Sequence, residues 1–409
     1  MSLRGPAGRR DPDIAEGGDG PDAIRRARIV LGHLIEPGRR DLGELVHALG
    51  PVEGLRRLRA GEVAEPLALA ASSRLASIET DHLVDRAAAR AAQLGARIIT
   101  PEDTEWPGQL ADLVRISRDG PDRVRRDTYP PQCLWLRGPW PLAEACERSV
   151  SIVGARASTP YGDHIAGELA YGLADRCWAV VSGGAFGIDA AAHRGTLAAD
   201  GCTVAVLACG IDRPYPASHA SLFDRIGEQG LLVSEWPPGA DPHRHRFLTR
   251  NRVIAALSRG TILVEANLRS GARYTLKRAR DLGRIVMAVP GPVTSALSIG
   301  SHDELRTENT TLVATVAHVI EAVGRIGSDL APPLRAEDTP VDRLSSLQQQ
   351  VLDGVRPRKI LDAEQIAAVV GVSAREARSV LPRLEQAGFV TAVGSGYRLF
   401  RKSDAEGRT

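Results

Sequence analysis

Aromatic residues are scarce, at 4% of the 409-residue chain, although hydrophobic residues at 43% still support a packed core. Cysteine is sparse too. The five cysteines (Cys133, Cys146, Cys177, Cys202, Cys209) include no C-x-x-C pair, which argues against a zinc site or a redox motif. Four of them sit in apolar context and read as reduced core residues. Net charge is only +2, so a nucleic-acid surface has to be a local patch rather than a global bias. No apolar run reaches membrane-spanning length, and the opening "MSLRGPAGRRDPDIAEGGDGPD" lacks the hydrophobic segment of a signal peptide. A soluble, cytoplasmic protein with no membrane partner is expected. A G-x-x-x-x-G-K-[ST] segment is also missing, which argues against ATP use through a P-loop.

What is present divides the chain into parts. Residues 1–22, rich in Gly, Pro, Asp and Arg, read as a disordered tail. Residues 23–95 are helical in pattern. Within them "DLGELVHALGPVEGLRRL" holds two short amphipathic segments joined at Gly50-Pro51, a helix-hairpin-helix or SAM-like arrangement. Over residues 96–326 the runs "SVSIVG", "WAVVSGG", "CTVAVLACG", "GLLVSE", "GTILVEA" and "RIVMAVPG" alternate with helical stretches. Continuous apolar strands alternating with helices predict an α/β, Rossmann-like domain whose parallel sheet is covered on both faces. Residues 327–343 form a Pro-rich linker. Residues 344–401 read as three helices and a two-stranded wing around Gly394-Ser395-Gly396, that is, a winged helix. Ser373 and Glu376 form a capping-box pattern at the start of its third helix, and Pro382 is expected to interrupt that helix.

The stretch "VVSGGAFGIDAAAH" ends a strand in Ser182-Gly183-Gly184 and starts a helix after Gly187. Small residues let a backbone approach a ligand, and helix amides favour an anion, so a phosphate suits the turn. Close packing of strand on helix accounts for the same glycines. Other strand ends add polar groups. Gly154 and Arg156 follow "SIV", and Ser234-Glu235 follow "LLV". "HRHRFLTRNR" concentrates Arg244, Arg246, Arg250 and Arg252 around Phe247 and Asn251, a composition suited to single-stranded nucleic acid. This run is expected to form a loop just before a helix, with its arginines opening onto the strand ends.

Seven segments occur in a fixed order: "SIVGAR", "SGGAFGIDAAAH", "AVLACGIDRPYP", "VSEWPPG", "FLTRNRVIAALS", "LVEANLRSGARYT" and "AVPGPV". In that order they resemble the DNA-processing protein A (DprA/Smf) family, closely over about residues 95–325. The resemblance implies a Rossmann-like domain that binds single-stranded DNA without cutting it. It also implies delivery of the strand to the RecA recombinase during natural transformation, and a homodimer. Position by position it assigns Arg156, Ser182, Gly183, Gly184 and Gly187 to a phosphate pocket, and Arg250, Asn251 and Arg252 to an R-N-R motif. Ser270, Gly271 and Thr275 match its S-G…T segment, and Glu265 its E-A segment. Phe186 replaces a frequent arginine and offers a stacking face. His302 and Glu308-Asn309 depart from the family pattern after "AVPGPV".

Two other functions fit parts of the chain. Asp189, His193, Glu235 and Glu265 could be the acids and bases of a nucleotide-hydrolysing enzyme. However, "PGPVTSALSIG" lacks the second glycine and the glutamate of the P-G-G-x-G-T-x-x-E segment in such enzymes. Asp189 reads as readily as an N-terminal helix charge and His193 as a packed helix residue. A winged-helix regulator would need base-reading residues on its third helix, where Arg375, Arg378 and Arg383 are diluted by Glu376 and Glu385. The expectation is therefore a non-enzymatic binder with no metal and no cofactor.

Overall fold

The computed structural model describes residues 20–77, 82–116, 128–325, 329, 340–357 and 359–400. The tail before residue 20 and most of the linker lie outside them. The chain divides into two compact units, residues 1–331 and 332–409.

The larger unit is built on a nine-stranded sheet in the order β1-β2-β6-β5-β4-β3-β7-β8-β9. The strands are β1 (Ala96–Ile99), β2 (Leu134–Arg137), β3 (Ser149–Val153), β4 (Ala179–Ser182), β5 (Thr203–Leu207), β6 (Leu231–Ser234), β7 (Gly260–Leu263), β8 (Ile285–Ala288) and β9 (Thr310–Leu312). Strands β3 to β9 run parallel, with Val150 beside Val180 and Gly260, and Val204 beside Leu231. The six apolar runs form β3 to β8. The expectation of a parallel sheet needs one correction, because β1 and β2 are added antiparallel at the β6 edge.

Both faces are buried because successive side chains point to opposite sides. Along β5, Val204 and Val206 join one core with Val181 and Val233, while Ala205 and Leu207 join the other. That second core continues into the N-terminal helices through Leu31, Leu34, Leu58 and Ala87. Residue 95 thus marks a change of architecture within one shared core. The first helix starts at Pro21, and Arg40–Leu49 and Pro51–Ala60 meet at Gly50 as the Gly-Pro pair suggests. Four cysteines are buried and free, and Cys177 is exposed.

The smaller unit holds helices Ser346–Gly354, Ala363–Val370 and Ala374–Gln386 and an antiparallel pair, β10 (Val390–Val393) and β11 (Gly396–Leu399). Each helix opens on a capping box, including the Ser373–Glu376 pair. The third helix runs through Pro382 instead of breaking there. Val380, Leu381 and Leu384 around the proline are all buried, and this packing holds the helix past the missing amide.

The order of strand addition reverses about β3: β4, β5 and β6 lie on one side of it, and β7, β8 and β9 on the other, all still parallel. Carboxyl ends of strands at such a reversal leave a crevice for ligands. The loop after β3, the glycine turn after β4 and the loop after β7 all open at that end.

Candidate nucleic-acid interface

A cavity of about 310 Å³ occupies this crevice, walled by the loop after β3, the glycine turn, the helix Arg244–Leu257 and the start of the helix Gly271–Asp281. Eight of the residues read from the sequence meet there: Gly154, Arg156, Phe247, Arg250, Asn251, Ser270, Gly271 and Thr275. Arg156 is exposed, and its guanidinium carbon lies 5.2 Å from the centroid of the Phe247 ring. Phe247 in turn receives the edge of the half-exposed Tyr215 at 5.6 Å. A cation on a ring beside further aromatic edge is a surface on which a phosphate and its base can both be held. Ser270 caps the second helix by accepting from the Ala272 amide at 3.3 Å. Nothing lies within 4 Å of where a Gly271 Cβ would stand, so that helix end stays open.

The glycine turn does something other than expected. The carboxylate of Asp189 reaches back from the following helix, and its Oδ2 accepts from the amides of Gly183 and Ala185 at 3.2 and 3.3 Å. The first amide of that helix, on Ile188, donates to the Ala155 carbonyl. An external anion therefore finds these donors in use. Burial pushes the Asp189 pKa up, opposed by the charge of Arg250, the two amides and Arg156. Gly183 is needed for space, since a Cβ there would stand 2.5 Å from the Arg250 guanidinium. Gly187, at φ +70°, would press a Cβ to 2.4 Å from the Ala155 oxygen. Ser182 is fully buried, its hydroxyl donating to the Ile152 carbonyl, and Gly184 packs on Phe223. Phe186 is exposed, with its ring edge-on to His219 at 4.7 Å.

The arginine-rich run lies inside a helix, not in a loop before it, and its side chains part company. Positions 247, 248, 251 and 254 face the cavity at helical spacing. Arg244 is exposed at the first helical residue and, among the described residues, forms no ion pair. Arg246 is buried over Trp236 and paired with Glu36 of the N-terminal region at 2.6 Å. Arg250 borders the cavity, but it donates to the carbonyls of Gly183 and Val206, and burial lowers its pKa to about 10. Arg252 is 1% exposed and donates both terminal nitrogens to Glu235 at 2.7 and 2.8 Å. The sequence expectation puts Arg252 and Arg246 on the DNA side of the site, whereas the structure turns both inward. Both guanidiniums are engaged by carboxylates inside the protein.

The candidate acids and bases are engaged as well. Glu265 accepts from the Thr159 amide and hydroxyl at 2.9 and 2.6 Å. His193 lies fully buried with Nδ1 at 2.7 Å from the Thr203 hydroxyl, which itself donates to the Val180 carbonyl. Nδ1 is therefore the donor, and burial lowers the His193 pKa to about 3. Burial raises the pKa of Glu235, with Arg252 opposing. His302 contacts the Gly291 carbonyl at 3.0 Å and so holds its own loop. Among the described residues no three His, Cys, Asp or Glu gather to hold a metal, and no helix is long and apolar enough to cross a membrane.

Residues 97–324 match the sequence profile described as DNA recombination-mediator protein A. The chain belongs to that family. The chain is 43% identical over 383 residues to a protein of Mycobacterium tuberculosis named as a DNA processing protein DprA, covering 93% of this chain and 95% of that one. It is 32% identical to the protein Smf of Escherichia coli over 69% of this chain and 75% of the other. The X-ray structure of DNA processing protein A from Streptococcus pneumoniae superposes with a TM-score of 0.57 at 28% identity, covering 74% of this chain and 97% of that one.

Tyr215, Leu248, Ala185 and the inward turn of Asp189 are among the site features that the sequence did not reveal. Tyr215 lies in the quoted "DRPYP" segment, where only its position in the fold sets it beside Phe247.

Proposed function

We propose that the protein binds single-stranded DNA at the β3/β7 crevice without cutting it, and hands the strand to the RecA recombinase. The observation that carries this reading is the exposed Arg156 guanidinium lying on Phe247 at the mouth of the cavity. A guanidinium there can meet a backbone phosphate, while Phe247, Tyr215 and Phe186 offer rings to bases of any sequence. Membership of a family described as recombination mediators supports the RecA partner. Binding without cleavage is supported by the carboxylates and the imidazole, each of which is held by a group inside the protein. We read Gly154, Arg156, Phe186, Arg244, Phe247, Asn251, Ser270, Gly271 and Thr275 as the DNA side of the site. Arg250 and the glycines at 183, 184 and 187 shape it from behind. A homodimer, a cytoplasmic location and a winged-helix identity for residues 344–401 complete the reading. The three helices and hairpin of that unit support the last of these.

The test is a gel-shift comparison of single-stranded and duplex oligonucleotides of mixed sequence, with and without magnesium. The expected result is tighter binding of the single strand and full recovery of intact DNA in both conditions. Equal affinity for duplex, or cleavage products that track with the pure protein and vanish in Glu235→Gln, would contradict it.

A further inference from the structure

Three ionisable side chains border the cavity: Arg156, Arg250 and Asp189. Two guanidiniums face one carboxylate, and they favour its charged form against the burial that disfavours it. The carboxylate sits deep, on the amides of Gly183 and Ala185, which are the donors a glycine turn otherwise offers to an anion. Arg250 is turned onto two main-chain carbonyls behind it. The inner half of the site thus already holds its own anion and its own cation. The outer half offers Arg156 and the open Gly271 end of a helix.

We infer that Asp189 makes this site selective for an internal phosphodiester, and excludes the terminal phosphate of a free nucleotide or of a phosphorylated strand end. The inference rests on the DNA-binding reading above and names its substrate class. A diester carries one negative charge, which the outer Arg156 can meet while Asp189 keeps the inner amides. A terminal phosphate carries about 1.5 to 2 negative charges near neutral pH. Its extra charge would need the turn amides, and there it would meet a buried carboxylate. Like charges in a buried site repel far more strongly than in water. The same carboxylate occupies two of the turn amides that a mononucleotide phosphate would otherwise use.

The experiment is calorimetric titration of AMP and of inorganic phosphate into the wild type, Asp189→Asn and Asp189→Ser. Asparagine removes the charge and keeps the shape, and serine also clears the amides. A gain in affinity of about tenfold or more is expected in the variants over the wild type, the effect of roughly one pKa unit of interaction. In parallel, a labelled single strand on the wild type is challenged with AMP or with an oligonucleotide lacking terminal phosphates. Only the oligonucleotide should displace it. AMP bound as tightly by the wild type as by the folded variants, or AMP displacing the strand as well as the oligonucleotide does, would overturn the inference. The competition needs no variant, so it decides the matter even where a substitution fails to fold. If the wild type binds no strand, the DNA-binding reading falls, and the calorimetric gain alone decides the role of Asp189.

Discussion

Arg252 donates both terminal nitrogens to Glu235 inside the protein, whereas Arg156 lies exposed over Phe247. Removing one partner of a buried pair strands the other charge, so Arg252→Met should lower unfolding stability by about 3–5 kcal/mol. The double variant Glu235→Leu/Arg252→Met should regain most of that loss and bind single strands as the wild type does. Thermal unfolding and gel shift check both parts, and a single variant as stable as the wild type would contradict the pairing. His193 supplies a pH dependence. Its folded pKa, near 3, is below the unfolded value of 6.5, so below about pH 6.5 the unfolded chain takes a proton that the fold refuses. Stability from this group is complete above that pH and is lost as pH falls toward 3, at up to about 1.4 kcal/mol per pH unit. Denaturant unfolding at a series of pH values, wild type against His193→Gln, should give the shallower acid loss in the variant. Parallel curves would refute it.

At the scale of elements, the helix Arg244–Leu257 explains why part of the site was hard to read. Arg246, Arg250 and Arg252 occupy positions that an apolar residue normally fills, so the run "RHRFLTRNR" carries no apolar period and reads as a loop. Their burial depends on carboxylates and carbonyls supplied from distant segments, and spacing along the chain cannot reveal those partners. Glu36 is one such partner, accepting from Arg246, Trp236 and Arg74. Glu36→Ala would take the carboxylate from the buried Arg246 guanidinium and leave it the Asp241 carbonyl, at a cost of about 1.5–3 kcal/mol. The fall should appear in the unfolding midpoint, and an unchanged midpoint would show that Glu36 is dispensable. Elements with ordinary chemistry were legible. The Ser373–Glu376 box and the strands β3 to β8 appear where composition places them. The three-residue β9, only one residue of which is part-buried rather than exposed, offers too little for a period and did not stand out.

At the scale of the whole molecule, continuous apolar strands alternating with helices were enough to read the sheet, but not its antiparallel edge or its shared core. Which face meets the N-terminal helices is decided by side chains such as Phe223 and Trp135 that look alike in any core position. The overall charge of +2 concealed a local arrangement in which Arg246 and Arg252 are neutralised from within, Arg250 is turned onto main-chain carbonyls, and Arg156 faces outward. Binding should therefore depend on few ionic contacts, Arg156 foremost. The most direct measurement is the salt dependence of single-strand binding by the wild type and by folded Arg156→Ala. The account predicts weaker binding and a slope of log affinity against log salt that is shallower by about 0.7, one phosphate contact on a single strand. Unchanged affinity and slope in the folded variant would contradict it.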